Sequence, residues 1–114
     1  MSKIKTKIQV FNNDHSAFGP GKADLLEAIS KYGSISAAAR SINMSYKRAW
    51  DLVNEMNKGF KENLVLTKIG GSHGGGTEVT ELGLQVLNLY RDAVSESQSF
   101  IENKMTELMS KLKS

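Results

Sequence analysis

The chain has 114 residues, room for one domain with a modest core. Its composition, 39% hydrophobic and 24% charged, is that of a soluble globular protein and argues against disorder. No apolar run approaches the roughly 18 residues of a membrane helix, and no apolar segment follows the basic start as a secretory signal would require, so neither a membrane nor a secreted protein is expected. With no cysteine, a disulfide framework, a thiolate nucleophile and a cysteine-based zinc site are all excluded, which fits a cytoplasmic protein. A formal charge of +3 and a pI of about 9.2 favour an anionic partner only weakly. Distribution says more: no acidic residue lies between Glu27 and Asp51, whereas Lys31, Arg40, Lys47 and Arg48 do.

From Lys3 to Phe11 the residues alternate, Lys3, Lys5 and Lys7 against Ile4, Thr6, Ile8 and Val10. Period two predicts a half-buried strand whose lysines line the wet face and guard an edge. Asn12 to Gly21, with Asn-Asn-Asp and Gly-Pro-Gly, reads as a turn region. A first helix is predicted from about Lys22 to Tyr32, where Leu25, Leu26, Ile29 and Tyr32 recur at helical spacing, and Gly33 stops it. Ser36 is a candidate N-cap for a second helix through Ala37, Ala38, Ala39 and Arg40 to about Ile42, whose alanines allow close helix approach. Asn43 sits where a left-handed turn is needed. Ser45 then caps a third helix, Tyr46 to about Asn57, with a predicted buried stripe of Ala49, Trp50, Val53 and Met56.

Two short helices joined by a tight turn are followed by a predicted hairpin, Leu64 to Ile69 and Thr77 to Val79, whose tip runs from Gly70 to Gly76. That order is the layout of a winged helix, in which the second helix of the pair enters the major groove. Tyr46, Lys47, Arg48, Asp51 and Asn54 are left outside the buried stripe. Arg48 and Lys47 suit guanine O6/N7 or phosphate, Ser45 and Tyr46 mainly phosphate, and Arg40 adds basic charge nearby. In the wing, Lys68 and His73 supply donors, and bare backbone at Gly74 and Gly75 allows close approach to DNA. The glycine run lacks the Gly-Lys-Ser/Thr ending of a nucleotide-binding loop and precedes a strand rather than a helix.

Thr80 caps a long last helix, predicted to run from Glu81 to about Lys113 and to span about 50 Å. Apolar residues recur at threes and fours, with a polar gap at Ser97. Leu89, Ala93, Phe100, Ile101, Met105, Leu108 and Leu112 extend beyond what a core of this size covers and are the expected homodimer interface. Residues 1–80 are thus read as the DNA-binding domain and 81–114 as the dimerisation helix. The fold class is mainly α with a small β-hairpin, a winged helix-turn-helix with a long C-terminal dimerisation helix.

The runs G-S-I-S-A-A-A-R-S-I-N-M-S-Y-K-R-A-W-D-L-V-N-E-M-N and L-V-L-T-K-I-G-G-S-H-G-G-G-T-E-V-T-E-L-G-L-Q-V-L-N-L-Y resemble the N-terminal domain of ModE, the bacterial molybdate-responsive transcriptional regulator, whose reader is related to that of LysR-type regulators. The most specific pieces are S-Y-K-x-A-W-D from Ser45 to Asp51, N-E-M-N from Asn54 to Asn57, and the G-G-x-x-G-G-G wing. The resemblance covers the chain from its first helix to the start of its last. It implies a prokaryotic, dimeric DNA-binding regulator whose interface is built from helices flanking the reader. Molybdate-sensing members use C-terminal domains that follow the reader. The chain ends at Ser114, so those domains are not expected, and an effector signal would come from an effector-sensing partner.

The expected function is a sequence-specific transcriptional regulator binding palindromic double-stranded DNA as a homodimer. The alternatives are a non-specific or architectural DNA-binding protein and a winged helix used for protein contacts. No cofactor, metal site or enzymatic activity is expected: His15 and His73 fall in predicted loops, and the carboxylates have ordinary helix-surface spacings.

Overall fold

The computed structural model describes residues 2–71 and 74–114. In chain order its elements are β1 (Val10–Asn12), β2 (His15–Phe18), α1 (Pro20–Tyr32), α2 (Ile35–Ser41), α3 (Tyr46–Gly59), β3 (Val65–Gly71), β4 (Gly74–Val79), α4 (Glu81–Lys104) and α5 (Thr106–Met109).

The three-helix unit follows its capping residues. Pro20 opens α1, at a position where its missing N–H costs nothing. Gly33 closes it in the left-handed conformation (φ 68°), its N–H bonded to the Ile29 carbonyl at 2.8 Å. The second helix starts earlier than expected. Ser34, not Ser36, is its N-cap and accepts from the Ala37 N–H at 3.1 Å. The reason is burial: a start at Ile35 sets Ile35, Ala38 and Ala39 on one inward face. Asn43 takes the expected left-handed conformation (φ 61°). Ser45 caps α3 by accepting from the Arg48 N–H at 3.1 Å. The inward stripe of α3 is Ala49, Leu52, Val53 and Met56, with Leu52 in the place expected of Trp50, which is only half-buried.

Around this stripe Phe18, Leu25, Leu26, Ile29, Leu64 and Val65 close the core. Phe18 lies edge-on to Tyr90 (centroids 5.0 Å apart) and to Phe60 (6.0 Å), tying β2 to both ends of the fold.

Two small antiparallel hairpins are present where one was expected. β1 and β2 pair around a turn at Asn13 (φ 56°), so β2 occupies part of the predicted turn region. The predicted strand Lys3–Phe11 is regular only from Val10. Ahead of it, Lys3, Lys5 and Lys7 are exposed while Ile4, Thr6 and Ile8 are half-buried, as the alternation requires, but Val10, expected on the same side, is exposed at the start of β1. That segment pairs with side chains of α4 instead of a strand. The Thr6 N–H donates to Gln98 Oε1 at 2.9 Å, Gln98 Nε2 donates to the Ile4 carbonyl at 2.7 Å, and the Tyr90 hydroxyl donates to the Ile8 carbonyl at 2.7 Å.

The second hairpin, β3–β4, pairs Val65 with Val79 and Thr67 with Thr77, and its strands run further into the glycine-rich stretch than expected. It forms the wing of a winged helix. Thr80 caps α4 as expected, accepting from the Gly83 N–H at 3.0 Å. At Gly83 the helix meets β3 closely: a Cβ there would lie 2.6 Å from the Leu64 carbonyl oxygen. Leu87 and Tyr90 anchor α4 in the core. The helix does not run unbroken to Lys113. It breaks at Met105 (φ −96°, ψ 8°), beside Thr106, whose hydroxyl donates to the carbonyls of Glu102 (3.2 Å) and Asn103 (3.0 Å). Such back-bonding bends helices. The 24 residues of α4 span about 36 Å rather than about 50 Å, within a molecule 61 × 29 × 22 Å in extent.

Candidate nucleic-acid interface

The first turn of α3 stands clear of the protein: Ser45, Tyr46, Lys47 and Arg48 are all exposed. With Ala49, Leu52, Val53 and Met56 turned inward, a period of 3.6 places Lys47, Asp51, Asn54 and Lys58 on the opposite stripe. Tyr46 and Trp50 flank that stripe on the wing side, their rings edge-on at 6.2 Å. Together with Ser34, Ser36, Lys68 and Thr77 they line an open cleft of about 240 Å³ between helix pair and wing. Arg48 flanks the other side, where it lines a shallow hollow with Gly19, Gly21 and Glu55 at the start of α1.

The cationic groups are held by weak local contacts. The Lys47 ammonium lies 3.1 Å from Asp51, and its side chain is 86% exposed. Lys68 lies 3.4 Å from Glu78 on the neighbouring wing strand. Arg40 donates from Nη1 to Ser36 Oγ at 3.1 Å. Among the described residues no ion pair engages Arg48. Exposed pairs of this kind are worth about 0–1 kcal/mol, so these cations are only weakly held. Asp51 is thereby occupied by Lys47, and the Ser45 oxygen by its capping bond. Gly74 and Gly75 open β4. His73 lies outside the described residues.

Two groups that periodicity and motif reasoning passed over position this surface. Asn57, at the last full turn of α3, accepts from the N–H groups of Leu64 (2.8 Å) and Val65 (3.1 Å) and donates to the Val65 carbonyl at 3.0 Å. One amide thus fastens the β3–β4 hairpin to α3. A second tie joins the wing to the end of α1, the Thr77 N–H donating to the Gly33 carbonyl at 3.1 Å. Lys22, only 5% exposed, donates to the Ser16 carbonyl at 2.6 Å and pairs with Glu55 at 3.0 Å, fixing α3 against α1 and β2. Lys22 follows Gly19-Pro20-Gly21 where a helix start is read, so only its low exposure reveals the role.

Of the residues expected at a dimer interface, Leu89 (71% exposed), Phe100 (60%), Leu108 (50%) and Leu112 (49%) are bare, Ala93 is exposed, and Ile101 and Met105 are half-covered. Nearer the core, Arg91 bridges α4 to Asp24 (3.0 Å) and Glu27 (3.1 Å) of α1. Burial alone would lower its pKa, but the two carboxylates outweigh it and hold the guanidinium above its ordinary value. Among the described residues no three His, Cys, Asp or Glu side chains gather as metal ligands would, and no helix is long and apolar enough to cross a membrane.

No protein-family profile matches the chain. Individual relatives do. It is 40% identical over 87 residues to the molybdenum transport protein ModE of Azotobacter vinelandii, covering 76% of this chain and 32% of that protein. It is 42% identical over 71 residues to the DNA-binding transcriptional dual regulator ModE of Escherichia coli K12, covering 62% of this chain and 27% of the relative. It is 46% identical over 65 residues to the molybdenum-pterin-binding protein MopA of Rhodobacter capsulatus, covering 57% and 24%. The chain spans about a third or less of the length of these curated relatives. A winged-helix fold and identities of 40–46% make it a homologue of ModE and of the Mop proteins over most of its own length.

Proposed function

We propose that the chain is a sequence-specific DNA-binding transcriptional regulator that acts as a homodimer on palindromic operator DNA. The observation that carries the reading is the bare, basic first turn of α3 beside a wing that Asn57 fastens to the same helix. A recognition helix enters the major groove by its N-terminal turns. Arg48 and Lys47 then reach bases or phosphates, Ser45, Tyr46 and Arg40 reach phosphates, and Asp51 lies beside them. Lys68, His73, Gly74 and Gly75 follow the flanking backbone. The printed name of the Escherichia coli relative, a DNA-binding transcriptional regulator, supports the same reading. The homodimer draws support from the uncovered stripe of Leu89, Phe100 and Leu108, since a two-fold pair hides it and gives two readers for one palindrome.

The test is selection of genomic fragments by the purified protein at about 150 mM salt, where purely electrostatic binding is weakened. A palindromic motif is the expected result. Binding without a motif, lost as salt rises, would replace this reading with a non-specific architectural role. No DNA binding at all would leave a protein-interaction module.

A further inference from the structure

The N-terminal segment carries a second feature that the DNA-reading surface does not use. Residues 3–9 run extended along α4, held by one edge only. The backbone groups of Ile4, Thr6 and Ile8 turn toward Gln98 and Tyr90, which take all three of the segment's hydrogen bonds to side chains. In an extended chain alternate residues direct their N–H and C=O groups to opposite edges. Those of Lys3, Lys5 and Lys7 therefore lie on the far edge, and among the described residues no protein group bonds them. This is the template of an unpaired edge strand.

The sequence of that edge is self-complementary. Ile4, Lys5, Thr6, Lys7 and Ile8 read the same from either side of Thr6. An antiparallel copy centred on Thr6 sets Ile4 opposite Ile8 of the second copy and keeps both isoleucines on the inner, helix-facing side.

We infer that two copies of this chain pair through residues 4–8 as antiparallel strands about a two-fold axis at Thr6. This rests on the homodimer proposed above and adds a second interface to it. Because the Thr6 backbone faces its own α4, Thr6 meets its counterpart at a non-hydrogen-bonded position, with Cα atoms about 4.5 Å apart, while Lys5 exchanges backbone bonds with Lys7 of the second copy. The lysine pairs face each other on the wet side. Like charges there oppose pairing, so the association tightens as salt screens them.

The natural absence of cysteine makes the test clean. In Thr6→Cys the two Cα atoms, about 4.5 Å apart, fall within the range of about 4.4–6.8 Å that a disulfide spans. In Lys3→Cys the two sites lie about 20 Å apart, six residues along the ladder. Under mild oxidation Thr6→Cys forms a covalent dimer at least about tenfold faster than Lys3→Cys, as a reaction at millimolar effective concentration does over a bimolecular one. Sedimentation of the wild-type chain is measured alongside, at low and high salt. A wild-type dimer in which Thr6→Cys fails to crosslink overturns the strand pairing and leaves a dimer built on the helix stripe alone. Equal crosslinking of both variants means random collision and also overturns it. A wild-type monomer at all concentrations overturns the strand pairing and the homodimer together.

Discussion

Replacing Asn57 by alanine should loosen the wing and unfold the protein more easily. The side chain takes three hydrogen bonds at the junction of α3 and β3, where Leu64 is fully buried and Val65 is 2% exposed. Asn57→Ala leaves two buried N–H groups without acceptors. Each unsatisfied group costs about 1–3 kcal/mol, and water reaching the half-exposed site recovers part of it, so the net loss is about 2–4 kcal/mol. Urea unfolding followed by the single tryptophan, Trp50, reads this directly. With an m value of about 1.5 kcal/mol per molar, a loss of about 3 kcal/mol moves the midpoint down by about 2 M at fixed protein concentration. A midpoint within about 0.3 M of wild type would refute the role given to Asn57, because no other contact in the argument carries that energy.

Three further outcomes follow from the same geometry. Arg48→Ala should cost about 1–3 kcal/mol on the specific site and relax preference at one base if Arg48 reads guanine; if it holds only phosphate, all sequences weaken alike and the salt slope falls by about 1, as binding titrations at several salt concentrations reveal. Ser45→Ala should lose about 0.5–2 kcal/mol of stability with the cap, whereas Ser45→Asp keeps the cap and weakens DNA binding by setting a carboxylate against phosphate, which thermal melts and binding titrations separate. Burial holds the Tyr90 hydroxyl above its ordinary pKa of 10.0, and the neutral group donates to Ile8. Its contribution is therefore complete below pH 10 and fades as pH rises through the higher folded value, so the stability gap between wild type and Tyr90→Phe, about 1 kcal/mol at pH 8, should close in alkaline melts.

The helix pair was legible because its signals are local. Gly33, Asn43 and Ser45 each impose one backbone state, and the structure has all three as read. Where two local signals compete, burial decides: Ser34 and Ser36 are equal as caps, and the need to sink Ile35 selects Ser34. β2 was hidden because four residues carry no period, and only the packing of Ala17 and Phe18 against the helices gives them strand geometry. The break at Met105 interrupts no apolar repeat, so periodicity does not register it. Of the candidate site, the exposed turn of α3 could be read from what its buried face leaves over. The ties made by Asn57, Lys22 and Gln98 could not, since each rests on a single polar side chain whose partners, from 6 to 94 residues away, carry no periodic signal.

The attachment of α4 has a mechanical consequence. Its first turns are locked to the three-helix unit by Leu87, Tyr90 and the Arg91 bridge to α1, while further out it carries the N-terminal segment through Gln98. From Arg91 to Lys104 the helix is a rigid arm of about 20 Å. A tilt of about 10° at the bridge swings its end by about 3.5 Å, close to the 3.4 Å rise of one base pair. In a dimer joined through that arm, the buried seats of Leu87 and Tyr90, with the Arg91 contacts beside them, set the phase of one copy against the other. On the proposed reading, a seat remote from the DNA then governs which half-site spacing the dimer tolerates.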